Sequence, residues 1–478
     1  MTNFETNRLC AGLARRLPVV ALIATFLASF SANAAIDGVP GQTFNLTASE
    51  GYISIADGGS VYSWGYSVGT APMQLPGPTL IVTQGEKVTI TLKNELPTAA
   101  GNVSIVFPGQ TVSSTAGGTP GLLAQEAETG GLVTYEFTPQ QPGTYQYYSG
   151  TRPDLQVEMG LYGAIVVRPS ATSAGVAACS APGYADALNS GAAYGHPDTC
   201  FDREYLFLLS EIDLQVHQAA EDQATGPGPI DLGTGDFKSE YWLLNGRAGP
   251  DTLAGPGAGT LPHQPYNIIP RMHPGERLLL RIVGAGREMH PFHTHGNHVR
   301  VLARDGRLIL SDTGSPSTPT DPLAGPLLFT VPSVPGGTVD AIFEWTGQDL
   351  GWDMYGTGTA YEHSCNGISV NAPVTPPATV SSPGFDPTTS EYCPDHGKEI
   401  PVTLPSLSSL AFGGFYSGSP YLGALGSLPP GEGGLNPNAG FTYMWHSHNE
   451  RELVNNDVFP GGMMTMLIIE APSETIEE

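Results

Sequence analysis

Short segments in which apolar and polar residues alternate recur along the chain and predict β-strands. In Val88-Thr89-Ile90-Thr91-Leu92, the apolar side chains occupy every second position, as on a strand with one buried face. Similar segments occur at 79–82, 87–93, 133–137, 164–168, 277–283, 339–345 and 466–470. The 61 glycines and 43 prolines among 478 residues place turns between such segments and disfavour long helices. The pattern therefore predicts an all-β fold.

Five of the 12 histidines lie in two short motifs. The first reads His290-Pro291-Phe292-His293-Thr294-His295-Gly296, and the second reads Trp445-His446-Ser447-His448, with Gly462-Met463 downstream. Side chains alternate faces along a strand, so each His-x-His pair points both imidazoles to one side. Imidazole is a common ligand of copper, zinc and iron, so neighbouring strands with these motifs predict a metal site. The alternative is a set of separate structural histidines.

These motifs resemble the third-domain copper motifs of multicopper oxidases, the family of laccases, ferroxidases and copper-efflux oxidases. In that family the first motif runs His-Pro-x-His-x-His-Gly, and the second runs His-Cys-His, a further His and then Gly-Met. Segments 75–90 and 160–167 resemble the opening and last strands of the family's first cupredoxin domain. The resemblance spans about residues 40 to 470. It implies an all-β chain of Greek-key cupredoxin sandwiches and a copper site.

The chain departs from the family pattern at the blue-copper position. The cysteine that supplies the thiolate is replaced by Ser447, and the second histidine would fall near Glu452. His290 and Met463 remain as candidate ligands of that site. Glu452 is a candidate metal ligand or proton relay if it turns inward, and a surface residue otherwise.

The first domain lacks its copper ligands as well. The positions of its four histidines are occupied by Val106, Pro108, Tyr148 and Gly150. The resemblance therefore implies a metal site held from one side by His293, His295, His446 and His448. It also implies that oxygen reduction of the laccase type is not expected. Copper is the expected ion, with zinc as the alternative.

The domain organisation follows from the same segments. A signal peptide is predicted at 1–34, a first cupredoxin domain at 41–170, a linker loop at 171–200 and a second cupredoxin domain at 201–471. The second sandwich is enlarged by loops, above all by an insertion at about 346–440 that is rich in Gly, Pro and Ser. The short linker leaves no room for a separate middle domain.

The amino terminus predicts export. Three arginines precede an apolar run of about 14 residues and the sequence Ala32-Asn33-Ala34, as in a cleavable signal. A membrane anchor is the weaker alternative, because a span needs roughly 20 apolar residues. We expect a periplasmic or extracellular protein without a membrane span.

Four cysteines follow the signal segment. In an oxidising compartment they favour disulfides, and neighbour pairing gives Cys179–Cys200 and Cys365–Cys393 among three connectivities. A zinc site formed by the second pair with His363 and His396 is the alternative.

Net charge limits the range of partners. The formal value of −26 argues against nucleic acid and anionic lipid partners, and its ordinary meaning is solubility. The expected partners are a metal ion and a small-molecule substrate or a redox partner protein, and an oligomer is compatible with the sequence.

Two functions are compatible with the sequence. One is a copper-dependent oxidoreductase of the cell exterior. The other is a non-enzymatic cupredoxin that binds copper or has a structural role in the envelope.

Overall fold

The structure is a computed structural model of the chain. It describes residues 36–179, 191–311, 321–345 and 441–470 apart from 234 and 267, together with Ile476 and a few short strands between 346 and 440. The described residues belong to one compact unit, 34–478. The predicted signal segment and the cysteine pair Cys365–Cys393, with His363 and His396, lie outside the residues whose side chains are described.

Alternating segments of the first 170 residues form two facing sheets, and a short two-stranded ribbon accompanies them. Along Val88–Asn94, buried Val88, Ile90 and Leu92 alternate with more exposed neighbours, as the sequence pattern predicts. The elements are β1 (Val39–Pro40), β2 (Thr43–Ser54), β3 (Ser60–Val68), β4 (Leu80–Thr83), β5 (Val88–Asn94), β6 (Ser113–Gly117), β7 (Thr119–Pro120), β8 (Gln125–Glu126), β9 (Leu132–Phe137), β10 (Gly143–Tyr148), α1 (Pro153–Gln156) and β11 (Tyr162–Arg168).

The strand orders in this first sandwich are β1-β4-β11-β10 and β3-β2-β5-β9-β6, with β7 paired to β8. One apolar cluster, including Trp64, Ile90, Tyr135 and Ile165, fills the space between the two sheets.

Most of the other described residues form a second, larger sandwich, which is preceded by the short helix α2, and β22 pairs with β23 and β24 with β25 outside its two sheets. The elements of this part of the chain are α2 (Ala174–Cys179), β12 (Arg203–Ile212), α3 (Leu214–Gln223), β13 (Tyr241–Leu244), β14 (Arg271–Met272), β15 (Arg277–Gly284), β16 (His290–Thr294), β17 (Val299–Arg304), β18 (Arg307–Leu308), β19 (Leu327–Leu328), β20 (Thr330–Ser333), β21 (Thr338–Glu344), β22 (Ser364–Cys365), β23 (Ile368–Ser369), β24 (Phe385–Asp386), β25 (Glu391–Tyr392), β26 (Gly418–Pro420), β27 (Phe441–Ser447) and β28 (Met464–Ile469).

Two sheets enclose the core of this second sandwich. One has the order β13-β12-β15-β21-β17-β18, with β19 on β17, and the other has the order β14-β28-β27-β16-β20, with β26 on β27. Phe207, Phe292, Phe343 and Trp445 meet in the apolar cluster between them. The all-β prediction of two cupredoxin sandwiches is confirmed, and seven predicted strands agree with observed ones to within two residues at either end.

A third apolar cluster joins the two sandwiches. It brings Val166 of β11 against Leu206 and Leu208 of β12 and Val283 of β15, and all four are buried. The domain boundaries at 41–170 and 201–471 stay a prediction. No helix in the described ranges is long and apolar enough to cross a membrane.

The predicted linker is partly helical. It contains α2, and Cys179 at the end of that helix forms a disulfide with Cys200, with the two Cα atoms 5.3 Å apart. The first of the two predicted pairings is therefore confirmed.

Candidate metal centre

The two histidine motifs lie side by side on β16 and β27. These strands are antiparallel neighbours, and His293 is directly opposite His446 in their register. On either side of these histidines, Phe292 and Trp445 point into the apolar core and are fully buried. Because side chains alternate, His293 and His446 project from the other face of the sheet.

Three imidazoles converge on that face. His293, His295 and His446 each offer a ring nitrogen, and these atoms lie within 4.8 Å of one another. The Nε2 atoms of His295 and His446 are 3.2 Å apart. Two nitrogens that bind one ion at about 2.0–2.1 Å with tetrahedral angles are separated by roughly 3.3 Å, so this spacing fits a shared cation.

Hydrogen bonds to the other ring nitrogen orient two of these rings. His446 donates from Nδ1 to the carbonyl of Ser447 at 2.6 Å, which leaves Nε2 as the lone-pair atom. The Nδ1 atom of His293 lies 2.8 Å from the hydroxyl of Thr330 on the adjacent strand β20. Such partners fix the tautomer and the ring orientation of a metal-binding histidine.

Burial keeps His293 and His446 in the form that binds metal. Burial, followed by the neighbouring imidazoles of His295, His446 and His448, lowers the pKa of His293 to about 3. Burial also lowers the pKa of His446. Neutral imidazole is the ligand form, so binding an ion near neutral pH requires little proton release from these two rings.

His448 lies at the rim of the cluster. Its ring centroid is 4.8 Å from that of His293 and 5.8 Å from that of His446. Its side chain is 53% exposed, and Nδ1 lies 3.7 Å from a carboxylate oxygen of Glu450. Of the four predicted ligands, it is the most exposed.

His290 and Met463 are not part of this cluster. His290 is separated from His293 by an odd number of positions on one strand, so it points to the opposite, core-facing side, where it is fully buried. Its Nδ1 lies 3.0 Å from Glu452 Oε2, and its Nε2 lies 3.0 Å from Glu211 Oε2. Met463 is fully buried in the apolar core of the second sandwich.

Glu452 turns inward and does not lie on the surface. It is 1% exposed, and the hydroxyl of Ser447 donates to its Oε2 at 2.5 Å. Glu211 and Thr330 are the participants that sequence reasoning missed. A signal existed for Glu211. Its carboxylate lies within strand β12, where nine of ten residues are buried, and a buried carboxylate needs a partner.

The four positions of the lost first-domain ligands lie partly together. Val106 and Tyr148 form an isolated β-bridge, and Gly150 leaves so little space that a Cβ there would lie 2.7 Å from Val106 Cγ1. That these residues, with Pro108, line the other half of the metal pocket stays a prediction.

His298 lies next to the cluster without joining it. Its ring centroid is 5.2 Å from that of Phe329, and the Phe329 centroid is 5.6 Å from that of His293.

The two candidate copper positions fit copper differently. The cluster on the outer face supplies three imidazoles with converging nitrogens, which suits copper. The position around Ser447 has a hydroxyl where a thiolate is needed, and both nitrogens of its histidine contact carboxylates. It does not fit a blue copper.

Comparison with known proteins supports the family. Residues 63–172, which lie mainly in the first sandwich, match the family model described as "Multicopper oxidase". A multicopper oxidase (MCE) from Talaromyces pinophilus is 37% identical over 98 residues, which are 20% of this chain and 15% of that protein. Copper resistance protein A from Pseudomonas syringae pv. tomato is 38% identical over 93 residues, 20% of this chain and 14% of that protein. These alignments therefore span well under a fifth of the relatives.

Among solved structures, a multicopper oxidase named mgLAC aligns over 92% of this chain and 89% of its own, with 16% identity and a TM-score of 0.49. A blue copper oxidase from Nitrosomonas europaea aligns over 90% and 85%, with 16% identity and a TM-score of 0.47. The part of this chain at residues 63–172 therefore resembles the multicopper oxidase family.

Proposed function

We propose that this protein binds copper at the outer-face cluster of His293, His295 and His446, with His448 as a further ligand at the rim. The observation that carries the proposal is the convergence of three imidazole nitrogens within 4.8 Å on paired strands. The match of residues 63–172 to the multicopper oxidase family model favours copper over zinc, and similarity to a copper resistance protein also favours copper. Zinc is the competing outcome of a metal analysis.

The proposed activity is that of an oxidoreductase acting on a small molecule or with a redox partner protein. A bound copper ion would supply a one-electron redox centre. Burial keeps His293 and His446 neutral, and contacts with the Thr330 hydroxyl and the Ser447 carbonyl orient their rings. The partly exposed rim at His295 and His448 gives a small molecule or partner access to the cluster.

The alternative is a copper-binding protein without enzymatic activity. It is favoured by the replacement of the thiolate residue with Ser447, since electrons then have no blue-copper relay within the chain. An activity assay distinguishes the two functions. If the copper-loaded protein oxidises no phenol or other reductant, the result supports the copper-binding protein without enzymatic activity.

The test of the copper site uses the purified full chain. We expect the unmodified protein to bind copper and give a copper(II) electron paramagnetic resonance signal, and the double variant His295→Ala/His446→Ala to lose stoichiometric copper. The matched control is His273→Ala, which changes a histidine beside Glu276 outside the cluster. Full copper content in the double variant, or zinc preferred over copper, contradicts the proposal.

We also propose that the protein is exported. The signal-like segment 1–34 and the disulfide Cys179–Cys200 support this, because disulfides persist in oxidising compartments. Mass spectrometry of the protein from separated cell fractions is expected to find it outside the cytoplasm, with an amino terminus at Ala35.

A further inference from the structure

The family's blue-copper position in this chain contains a connected set of buried polar groups. We call His290, Glu211, Glu452 and Ser447 the core cluster. All four are at most 2% exposed. Ser447 and His290 contact the same carboxylate oxygen, Glu452 Oε2, at 2.5 and 3.0 Å.

Hydrogen-bond capacity determines the state of this cluster. An imidazole has two ring nitrogens, and both donate when the ring is protonated, whereas ionised carboxylates only accept. The two nitrogens of His290 each face a different glutamate at 3.0 Å, so an imidazolium satisfies both contacts. Burial opposes protonation of His290, but Glu211 and Glu452 outweigh it and raise the pKa to about 9.

The remaining carboxylate atoms are also engaged. Backbone N–H groups of Arg287 and Glu288 donate to Glu211 Oε1, the latter at 3.2 Å. The amide of Asn449 donates to Glu452 Oε1 at 2.8 Å. A buried ionic group costs free energy unless its hydrogen bonds are satisfied, and this cluster meets that condition.

The cluster connects both sheets of the second sandwich. Glu211 is on β12 of one sheet, and His290 is on β16 of the other. Glu452 is in the short helix that follows β27, and that helix is tied to Met463 by an N–H donated to the Glu452 carbonyl at 2.8 Å. The imidazole of His290 therefore bridges the two sheets and the short helix after β27.

We propose that the blue-copper position has become a metal-free structural cross-link, in which His290 is held between Glu211 and Glu452. A metal ion with ligands from several strands joins those strands through one central group. In the cross-link, the His290 imidazole is that group. The cross-link is independent of copper at the outer-face cluster. It is also no hydrolase triad, because Ser447 donates to the glutamate instead of the histidine and lies fully buried.

Stability measurements on the full chain test the cross-link. Glu211→Gln and Glu452→Gln each remove one acceptor charge and leave part of the cluster unpaired, so we expect the melting temperature to fall by several degrees. Glu128→Gln is the matched control, since Glu128 is exposed in the first sandwich, and we expect its melting temperature to equal that of the unmodified protein. Melting temperatures of both variants equal to that of the control overturn the proposal.

Copper location gives a second readout that does not depend on folding of a variant. Anomalous scattering at the copper edge from crystals of copper-loaded, unmodified protein is expected to show no copper within coordination distance of His290. In variants that fold, copper stoichiometry should equal that of the unmodified protein. Copper bound to His290, or loss of one copper in Glu452→Gln, overturns the cross-link. Loss of copper from the outer-face cluster alone contradicts only the proposed function.

Discussion

At the level of single residues, two histidines three positions apart have opposite environments. His293 lies among other imidazoles on the outer face, and its pKa is lowered. His290 lies between carboxylates in the core, and its pKa is raised. Strand alternation determines the difference, and the sequence shows it once β16 is recognised. Its partner Glu211 lies 79 residues away in the chain, so no local pattern indicates the pairing.

Thr330 allows a residue-scale prediction about the metal centre. Its hydroxyl contacts Nδ1 of His293 at 2.8 Å and so orients the ring. Replacing Thr330 with Val keeps the shape and removes the hydroxyl, and we expect copper affinity to fall about 10- to 100-fold. A competition titration with a chelator measures this. Thr330→Ser, which keeps the hydroxyl, serves as the control, and equal losses in both variants would argue against an orienting role.

His448 gives a second prediction at this scale. Because it is at the exposed rim while His295 contributes a converging nitrogen, we expect His448→Ala to weaken copper binding less than His295→Ala does. Chelator competition on the two variants in parallel ranks them. A greater loss in His448→Ala would place the ion at the rim instead of between the strands.

At the level of elements, alternation and turn residues predicted the strands but not the helices. Asn245-Gly246, a pair of residue types that favours tight turns, has positive φ angles of 48° and 80°. Helix α3 was not predicted, because its apolar positions are few and it depends on packing against the first sandwich through Ala220. Its start is nonetheless marked by an aspartate, a residue that often caps helices.

That cap supports a prediction about helix stability. Asp213 accepts hydrogen bonds from the backbone N–H groups of Gln215 and Val216 at 2.8 and 3.4 Å. Asp213→Ala is expected to lower the free energy of unfolding by about 1 kcal/mol, since the first-turn N–H groups lose their acceptor. Asp213→Asn retains an acceptor and should cost less. Urea unfolding compares both variants with the unmodified protein. An Asp213→Ala variant as stable as the unmodified protein would show that the cap contributes nothing.

At the level of the whole molecule, a buried ionic group joins the two sandwiches. Arg168 of β11 donates to Glu204 of β12 at 2.8 Å, and Arg281 of β15 donates to the same carboxylate at 2.8 Å. Sequence patterns predict which faces of these strands are apolar. They do not predict which charges meet across the junction, because that depends on how the sandwiches pack.

Acid is therefore expected to weaken the junction between the two sandwiches. Burial opposes ionisation of Glu204, but Arg168 and Arg281 outweigh it and lower the pKa from 4.5 to about 2. A carboxyl whose pKa is lower in the folded state stabilises the fold at pH values above its unfolded pKa, here by about 3 kcal/mol. This contribution disappears as the pH falls from about 4.5 towards 2.

Glu204→Gln should be less stable than the unmodified protein at pH 7 and should lose less stability over that acid range. The exposed control Glu128→Gln should follow the unmodified protein. Unfolding free energies measured at pH 7, 4.5 and 3 decide the matter, and parallel acid curves for Glu204→Gln and the unmodified protein would mean that the charge pair does not stabilise the junction.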